Sequence, residues 1–145
     1  MRKINYIVVH CSATREGCTL TSEALEAEHR RGFRTTGYHY YIRRDGTVLG
    51  TRSLELPGAH CRGHNKYSIG ICYEGGLDAW GNPKDTRTPE QRSALHLLVY
   101  QLLQQFRNAR VCGHRDLSPD LDGDGTVEPW EWVKQCPCFE VSKEF

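Results

Sequence analysis

The sequence predicts an α/β fold, a single domain in which a central mixed β-sheet is flanked by helices. Three observations support this class. Short β-branched, apolar runs alternate with stretches rich in helix-forming residues. One aromatic run is followed by a tight-turn sequence and a second short run, which is typical of a hairpin. The 145 residues suffice for one domain with its own core, and no repeat or linker divides them.

The first predicted strand covers residues 5–11, with the sequence NYIVVHC. Side chains alternate between the two faces of a strand, so Val8 and His10 are expected on one face and Cys11 on the other. We therefore expect His10 and Cys11 to belong to different environments, with His10 beside a crevice and Cys11 packed in the core.

The remaining strands are predicted from the same kinds of pattern. A hairpin is expected from Tyr38, with an Asp-Gly turn at residues 45–46 and a second strand from Thr47. Residues 68–74 form another apolar run that two glycines close, and residues 110–113 form a short run that ends before a histidine. Together these runs indicate a sheet with both parallel and antiparallel neighbours.

Two helices are expected. Residues 21–31 are rich in helix formers, with acids early and arginines late, as the helix dipole favours. Residues 88–108 carry stronger signals, because Thr88 suits the N-cap, a proline follows it, and Gln91 completes a capping box. The core-facing stripe of this second helix is predicted to contain Leu95, Leu98, Val99, Leu102 and Phe106.

Charge and composition restrict the choice of partner. The chain has 19 basic and 18 acidic residues, for a net charge of +1, so nothing indicates nucleic acid as a partner. The apolar run at residues 7–9 is too short for the hydrophobic region of a signal peptide or for a membrane span. We therefore expect a protein made in the cytoplasm that does not use a membrane as its partner.

The seven cysteines are more numerous than usual for a chain of this length. In a cytosolic product, an odd number of cysteines favours reduced, buried thiols and one metal ligand over a disulfide framework. Cys72 and Cys112 lie in predicted strands and are expected to act as small apolar residues. Cys18 and Cys61 fall in predicted loops, where free thiols are expected and a disulfide is the alternative in an oxidising compartment. Cys138 is expected to pack, with a role as a spare metal ligand as the alternative.

The candidate catalytic chemistry starts with two histidines that follow predicted strands, His10 and His114. Strand ends hold side chains rigidly beside a crevice, so such residues suit a metal or acid–base site. Near the C-terminus, Lys134 and Cys136 are two positions apart in a segment that Pro137 keeps out of a helix, so both should point the same way. One thiolate and two imidazoles form a zinc ligand set that leaves a fourth position open.

A second candidate metal site lies between His114 and Lys134. Residues 120–131, DLDGDGTVEPWE, match the calcium-loop pattern D-x-D-x-D-G-x5-E. The side-chain ligands would be Asp120, Asp122, Asp124 and Glu131, and Thr126 would offer its backbone carbonyl. An acidic surface turn of the same composition is the alternative. Bound calcium would have a structural role, which is to order the insert at about residues 118–131 and the segment that follows it.

Five motifs together resemble the type-2 N-acetylmuramoyl-L-alanine amidases, the family that includes phage lysozyme-type amidases and peptidoglycan recognition proteins. They are VVHCSAT, GYHYYIRRDGTV, GAHCRGHNKYSIGICYEGG, GHRDLSPD and KQCPCFEV. Each motif is weak alone, but all five occur in the order of the family and together span residues 5–141. The resemblance therefore covers nearly the whole chain and implies one amidase domain.

The resemblance implies a zinc hydrolase that cleaves the amide bond between N-acetylmuramic acid and L-alanine in peptidoglycan. The zinc ligands it implies are His10, His114 and Cys136, and the set is complete. Tyr38 and Lys134 match the two residues that assist the attacking water and the developing oxyanion. Both types of side chain can donate hydrogen bonds to an oxyanion, so the physical chemistry agrees with these roles.

The resemblance also implies a substrate groove and a biological setting. His60 and Asn65 match the loop that lines the groove for peptidoglycan. We expect a monomeric, lysin-like enzyme that reaches the cell wall after release from the cytoplasm or by non-classical export. Two alternatives remain, which are a non-catalytic peptidoglycan-binding module and a cysteine peptidase with Cys11 as its nucleophile.

Overall fold

The computed structural model describes residues 2–18 and 37–145, and these contain seven strands and one α-helix. The predicted helix at residues 21–31 lies outside the described residues. The strands are β1 (Tyr6–Cys11), β2 (Thr14–Arg15), β3 (Tyr40–Ile42), β4 (Val48–Gly50), β5 (Ser68–Tyr73), β6 (Gly76–Leu77) and β7 (Arg110–Gly113), and the helix is α1 (Pro89–Gln105). The predicted strands are thus present, with the hairpin strands shorter than expected.

The central sheet has five strands in the order β4-β3-β5-β1-β7. Strand β1 runs parallel to both β5 and β7, and β3 is parallel to β5 but antiparallel to β4. This arrangement confirms the predicted mixed sheet. Because His10 pairs with Cys72 and Val9 pairs with Gly113, the carboxyl ends of β1, β5 and β7 meet at one edge of the sheet.

The two faces of β1 have different neighbours, as the alternation predicts. Ile7, Val9 and Cys11 belong to the main hydrophobic core, which also contains the buried face of α1. His10 is also buried, at 1% exposed, but it lies outside that cluster. The strand therefore separates an apolar core from a polar crevice.

Helix α1 begins as the capping box predicts. The Gln91 amide donates to Thr88 Oγ1 at 3.1 Å, and the Thr88 amide donates to Gln91 Oε1 at 3.0 Å. Gln91 is buried, and its side chain donates to the carbonyl oxygens of Ile42 and Glu74, which fastens the helix to β3 and β5. The predicted stripe is buried at Leu95, Leu98, Val99 and Leu102 and partly buried at Phe106.

An ion-pair network joins the C-terminal segment to the loop before α1. The Arg87 guanidinium is buried, donates to the carboxylates of Asp85 and Glu144, and lies 3.4 Å from the centroid of the Phe139 ring. Because Phe139 follows Cys136 closely, this network helps to secure the segment that carries that cysteine.

The segment after β5 differs from its expectation. Its turn-rich sequence, LDAWGNPKDTR, predicts an exposed loop, but Leu77 pairs with Arg15 in a separate two-stranded sheet. Cys61 lies in a loop, as expected, and is buried, at 4% exposed. All seven cysteines carry free thiols, and among the described residues no helix is long and apolar enough to cross a membrane.

Candidate metal centre

Three side chains from distant parts of the chain converge at the carboxyl edge of the sheet. His10 ends β1, His114 follows β7, and Cys136 lies in the C-terminal segment. One potential ligand atom from each lies within 4.8 Å of the others, and the two imidazole centroids are 4.6 Å apart. These are the three residues that the sequence marks as zinc ligands.

The position of Cys136 is set by two backbone hydrogen bonds. The Arg115 amide donates to the Cys136 carbonyl at 3.0 Å, which holds the C-terminal segment beside the end of β7. The Cys11 amide donates to Cys136 Sγ at 3.2 Å, which fixes the position of the sulfur. The Cys11 side chain packs in the core and also hydrogen-bonds with the thiols of Cys136 and Cys138, so both its main chain and its side chain contact the segment that carries Cys136.

The donor set fits zinc in its chemistry. Burial lowers the pKa of His10 well below its usual value, and any positive charge on the neighbouring His60, His114 or Lys134 lowers it further. His10 is therefore neutral at pH 7, which leaves a ring nitrogen lone pair free for a metal. Imidazole nitrogen and thiolate sulfur are both donors that Zn²⁺ prefers, and three protein ligands leave its fourth position for water or substrate.

A cavity of about 310 Å³ opens directly onto these residues. Tyr38 and Lys134 both line it, as the sequence-based roles require. The Tyr38 ring lies 5.2 Å from the His10 ring, and burial, with nearby cysteines, raises the Tyr38 pKa well above its usual value. Tyr38 is therefore protonated at neutral pH and can donate a hydrogen bond, whereas Lys134 is exposed at the mouth of the cavity.

A larger groove of about 580 Å³ adjoins this cavity and shares His114 and Lys134 with it. Its walls include Arg62 and His64, which sequence analysis did not single out although they lie inside the motif GAHCRGHN. The motif itself indicates them, because the family resemblance covers the whole loop and not only His60 and Asn65.

The two residues predicted to line the groove, His60 and Asn65, both make bonds within the protein. The Asn65 side-chain oxygen accepts from the amides of His60 and Cys61, each at 2.9 Å, and so shapes the loop. His60 lines the smaller cavity, and its Nδ1 lies 2.9 Å from His10 Nε2. Burial and neighbouring positive groups lower the His60 pKa to about 3, so this imidazole is neutral.

The acidic insert brings its carboxylates together. One oxygen each from Asp120, Asp122, Asp124 and Glu131 lies within 4.8 Å of the others. Glu131 is 2% exposed and accepts from the amides of Leu121, Asp122 and Glu128. At Thr126, the predicted carbonyl ligand, the amide donates to Asp124 at 2.9 Å.

Glu128, the ninth residue of the calcium-loop pattern at residues 120–131, was not among the ligands predicted from the sequence. Its Oε2 atom is buried and has no hydrogen-bond partner among the residues that the structure describes. Interactions with the carboxyl groups of Asp124 and Glu131 raise the Glu128 pKa to about 8. The sequence does indicate this residue, because it is acidic and occupies position nine of the loop pattern, where calcium loops have a ligand that often binds the ion through water.

Comparison with known proteins identifies the class. A family model described as N-acetylmuramoyl-L-alanine amidase matches residues 1–137. The chain belongs to this family, as the resemblance predicts.

Individual relatives agree. An uncharacterised Haemophilus influenzae protein is 47% identical over 97 residues, covering 67% of this chain and 84% of that protein. The endolysin of Klebsiella phage KP32 is 35% identical over 143 residues, covering 98% of this chain and 85% of the endolysin. Among solved structures, the N-acetylmuramoyl-L-alanine amidase LysC from Clostridium intestinale URNW matches with a TM-score of 0.70 and 26% identity, covering 99% and 82% of the two chains. The chain is accordingly an amidase of peptidoglycan.

Proposed function

We propose that the chain is a zinc-dependent, lysin-like N-acetylmuramoyl-L-alanine amidase in which His10, His114 and Cys136 hold the metal. The observation that carries this proposal is the convergence of three suitable donors at one sheet edge, with their ligand atoms within 4.8 Å. Tyr38 and Lys134, which line the same cavity, are the catalytic residues of the proposal.

In such a site zinc supplies Lewis acidity, which activates water near neutral pH and polarises the scissile carbonyl. The chain's own groups complete the reaction. Tyr38 donates its hydroxyl hydrogen to the oxygen on which negative charge develops, and the Lys134 ammonium is placed to stabilise that charge or to protonate the leaving nitrogen. The carbon–nitrogen bond breaks, so the lactyl group gains a carboxylate and L-alanine gains a free amine.

The substrate we propose is peptidoglycan, which binds along the groove beside the metal centre. Arg62 and His64 line this groove and offer polar contacts to the stem peptide. Asn65 shapes the groove indirectly, through the two amides that it holds. The endolysin relatives support action on the cell wall after synthesis in the cytoplasm, and we propose a monomer that needs neither nucleic acid nor membrane.

We further propose that the acidic insert binds one structural Ca²⁺ through Asp120, Asp122, Asp124 and Glu131, with the Thr126 carbonyl as a fifth ligand. The support is the clustering of four carboxylates and the unpartnered oxygen of Glu128 beside them. Bound calcium would offset their mutual repulsion and order the segment that precedes Lys134.

Thermal unfolding with and without calcium tests this second site. Millimolar Ca²⁺ should raise the Tm of the chelator-treated wild type, because a ligand that binds only the folded state stabilises it. The double variant Asp122→Asn, Asp124→Asn should show no such rise, whereas Asp45→Asn, an exposed control in the hairpin turn, should respond like the wild type. An unchanged wild-type Tm would leave the insert as an acidic surface turn.

Metal analysis combined with a cell-wall digest tests the main proposal. The wild type should bind about one zinc per chain and release free amino groups from purified walls, without new reducing sugars. His10→Ala and Cys136→Ser should lose zinc and activity together, whereas His96→Ala and Cys18→Ser, which alter exposed residues outside the site, should keep both. Wall binding without release of amino groups by the zinc-loaded wild type would instead indicate a recognition module.

A further inference from the structure

We propose that His60 is a positioning residue that fixes the tautomer and the ring orientation of His10, an inference that rests on the proposed zinc function. Metal-binding histidines commonly donate their second ring N–H to a partner that orients them. In this protein the partner facing His10 is a second imidazole, which the resemblance alone had assigned to the substrate groove.

His10, His60 and Ser68 are linked by a buried series of hydrogen bonds that ends in β5. His10 Nε2 lies 2.9 Å from His60 Nδ1, and His60 Nε2 lies 3.1 Å from Ser68 Oγ. All three residues are at most 9% exposed. Water therefore has little access to compete for these ring nitrogens.

One arrangement of protons is compatible with both this series of hydrogen bonds and metal binding by His10. With Nε2 of His10 directed at His60, the other nitrogen, Nδ1, remains to offer its lone pair to zinc, so the His10 proton must lie on Nε2. That proton is donated to His60 Nδ1, and His60 in turn donates from Nε2 to Ser68 Oγ. The opposite arrangement would put a proton on His10 Nδ1 and block metal binding.

The surroundings of His60 hold its ring in place. A Cβ atom at Gly58 would lie 2.5 Å from His60 Cδ2, and one at Gly70 would lie 2.6 Å from His60 Cδ2 and Cγ. The ring thus fills a slot that only glycine can line on these two sides. Asn65 fixes the backbone end, because its side-chain oxygen accepts the His60 amide. His60 therefore cannot turn away from His10 without a shift of the backbone.

An imidazole partner has a chemical consequence. A carboxylate in this place would add negative charge near the metal, whereas an imidazole orients His10 without adding negative charge. The proposed ligand set then carries only the charge of the Cys136 thiolate, so a bound Zn²⁺ keeps more of its positive charge for polarising the substrate.

Zinc affinity, measured by competition with a chromophoric chelator, tests the proposal. His60→Ala should bind zinc about 10–100-fold more weakly than the wild type, the usual effect of losing such a partner. His60→Asn places its side-chain oxygen where Nδ1 of His60 lies, so it should recover most of the affinity. His96→Ala, which alters an exposed histidine outside the site, should match the wild type.

A second readout and a milder variant keep the test independent of folding and of activity. The visible spectrum of the Co²⁺-substituted protein should change in His60→Ala and return towards the wild type in His60→Asn. Ser68→Ala removes only the last hydrogen bond of the series, the one between His60 Nε2 and Ser68 Oγ. It should therefore weaken zinc binding by a smaller factor than His60→Ala does. Wild-type affinity in both His60→Ala and Ser68→Ala, or no recovery in a folded His60→Asn, would overturn the proposal. A wild type that binds no zinc would instead refute the proposed function.

Discussion

Replacing Arg87 with methionine tests how the C-terminal segment is secured. The Arg87 side chain is 1% exposed, and its nitrogens lie 2.9 Å from Asp85 and 2.6 Å from Glu144. Methionine keeps part of the contact with Phe139 but removes the buried cation, which leaves Asp85 paired with the exposed Arg92 and Glu144 paired with His96.

The size of the effect follows from burial. Removing one partner of a buried ion pair destabilises a protein by about 3–5 kcal/mol. Because the carboxylates of Asp85 and Glu144 are 24% and 23% exposed, water compensates part of the loss, and we expect the lower end, about 3 kcal/mol. For a chain of this length, that corresponds to a decrease in Tm of about 6–12 °C.

Urea unfolding of the chelator-treated protein measures this loss without a contribution from the metal. Arg92→Met is the matched control, because Arg92 also contacts Asp85, at 3.2 Å, but its side chain is 49% exposed. It should lower the free energy of unfolding by less than about 1 kcal/mol. Equal losses in the Arg87 and Arg92 variants would refute the argument that burial makes the Arg87 network important.

The same network predicts a pH dependence. Burial is the largest single influence and would raise the pKa values of Asp85 and Glu144, but the hydrogen bonds and positive charge of Arg87, together with Arg92 near Asp85 and His96 near Glu144, outweigh it and lower both. Their stabilising contribution is therefore present above the unfolded-state values, 3.8 and 4.5, and is lost as the pH falls through the lower folded-state values. The free energy of unfolding should fall less steeply with decreasing pH in Arg87→Met than in the wild type.

Three further substitutions give distinct outcomes. Tyr38→Phe should lower kcat for wall digestion by a factor of about 10²–10³, the usual effect of losing one hydrogen-bond donor to an oxyanion, and should leave the zinc content unchanged. A near-normal kcat would exclude Tyr38 as such a donor. Thr88→Ala should lower the free energy of unfolding by about 1–2 kcal/mol, because it removes the cap of α1; unchanged urea unfolding would contradict this estimate. Cys11→Ala should keep zinc and most activity, since the backbone amide to Cys136 survives; loss of activity with zinc still bound would favour the cysteine-nucleophile alternative.

Local patterns sufficed to predict most of the described fold. The alternation along β1 and the capping box of α1 depend on neighbours in sequence, so a single chain reveals them. The hairpin strands were predicted too long, because the aromatic run contains Tyr38, which lies before β3 and turns towards the metal centre.

The site was less accessible to reasoning from the residues alone. His10 and Cys136 lie at opposite ends of the chain, and their spacing indicates a shared centre only weakly, so the family motifs were needed to join them. The contacts of His60 and the Cys11 amide were not predicted, because they depend on the parallel register of β1 and β5 and on the path of the C-terminal segment. Sequence patterns contain no direct record of such long-range contacts.

The central claim is that this chain cleaves the muramoyl–alanine amide with zinc held by His10, His114 and Cys136. Mass spectrometry of a defined muropeptide, digested by the apoprotein before and after addition of one equivalent of zinc, tests it most directly. We predict no cleavage before addition, and afterwards a free N-terminal L-alanine peptide together with an intact muramic acid product. Equal cleavage before and after zinc, cleavage at another bond, or zinc-dependent cleavage that survives in His10→Ala would contradict the claim.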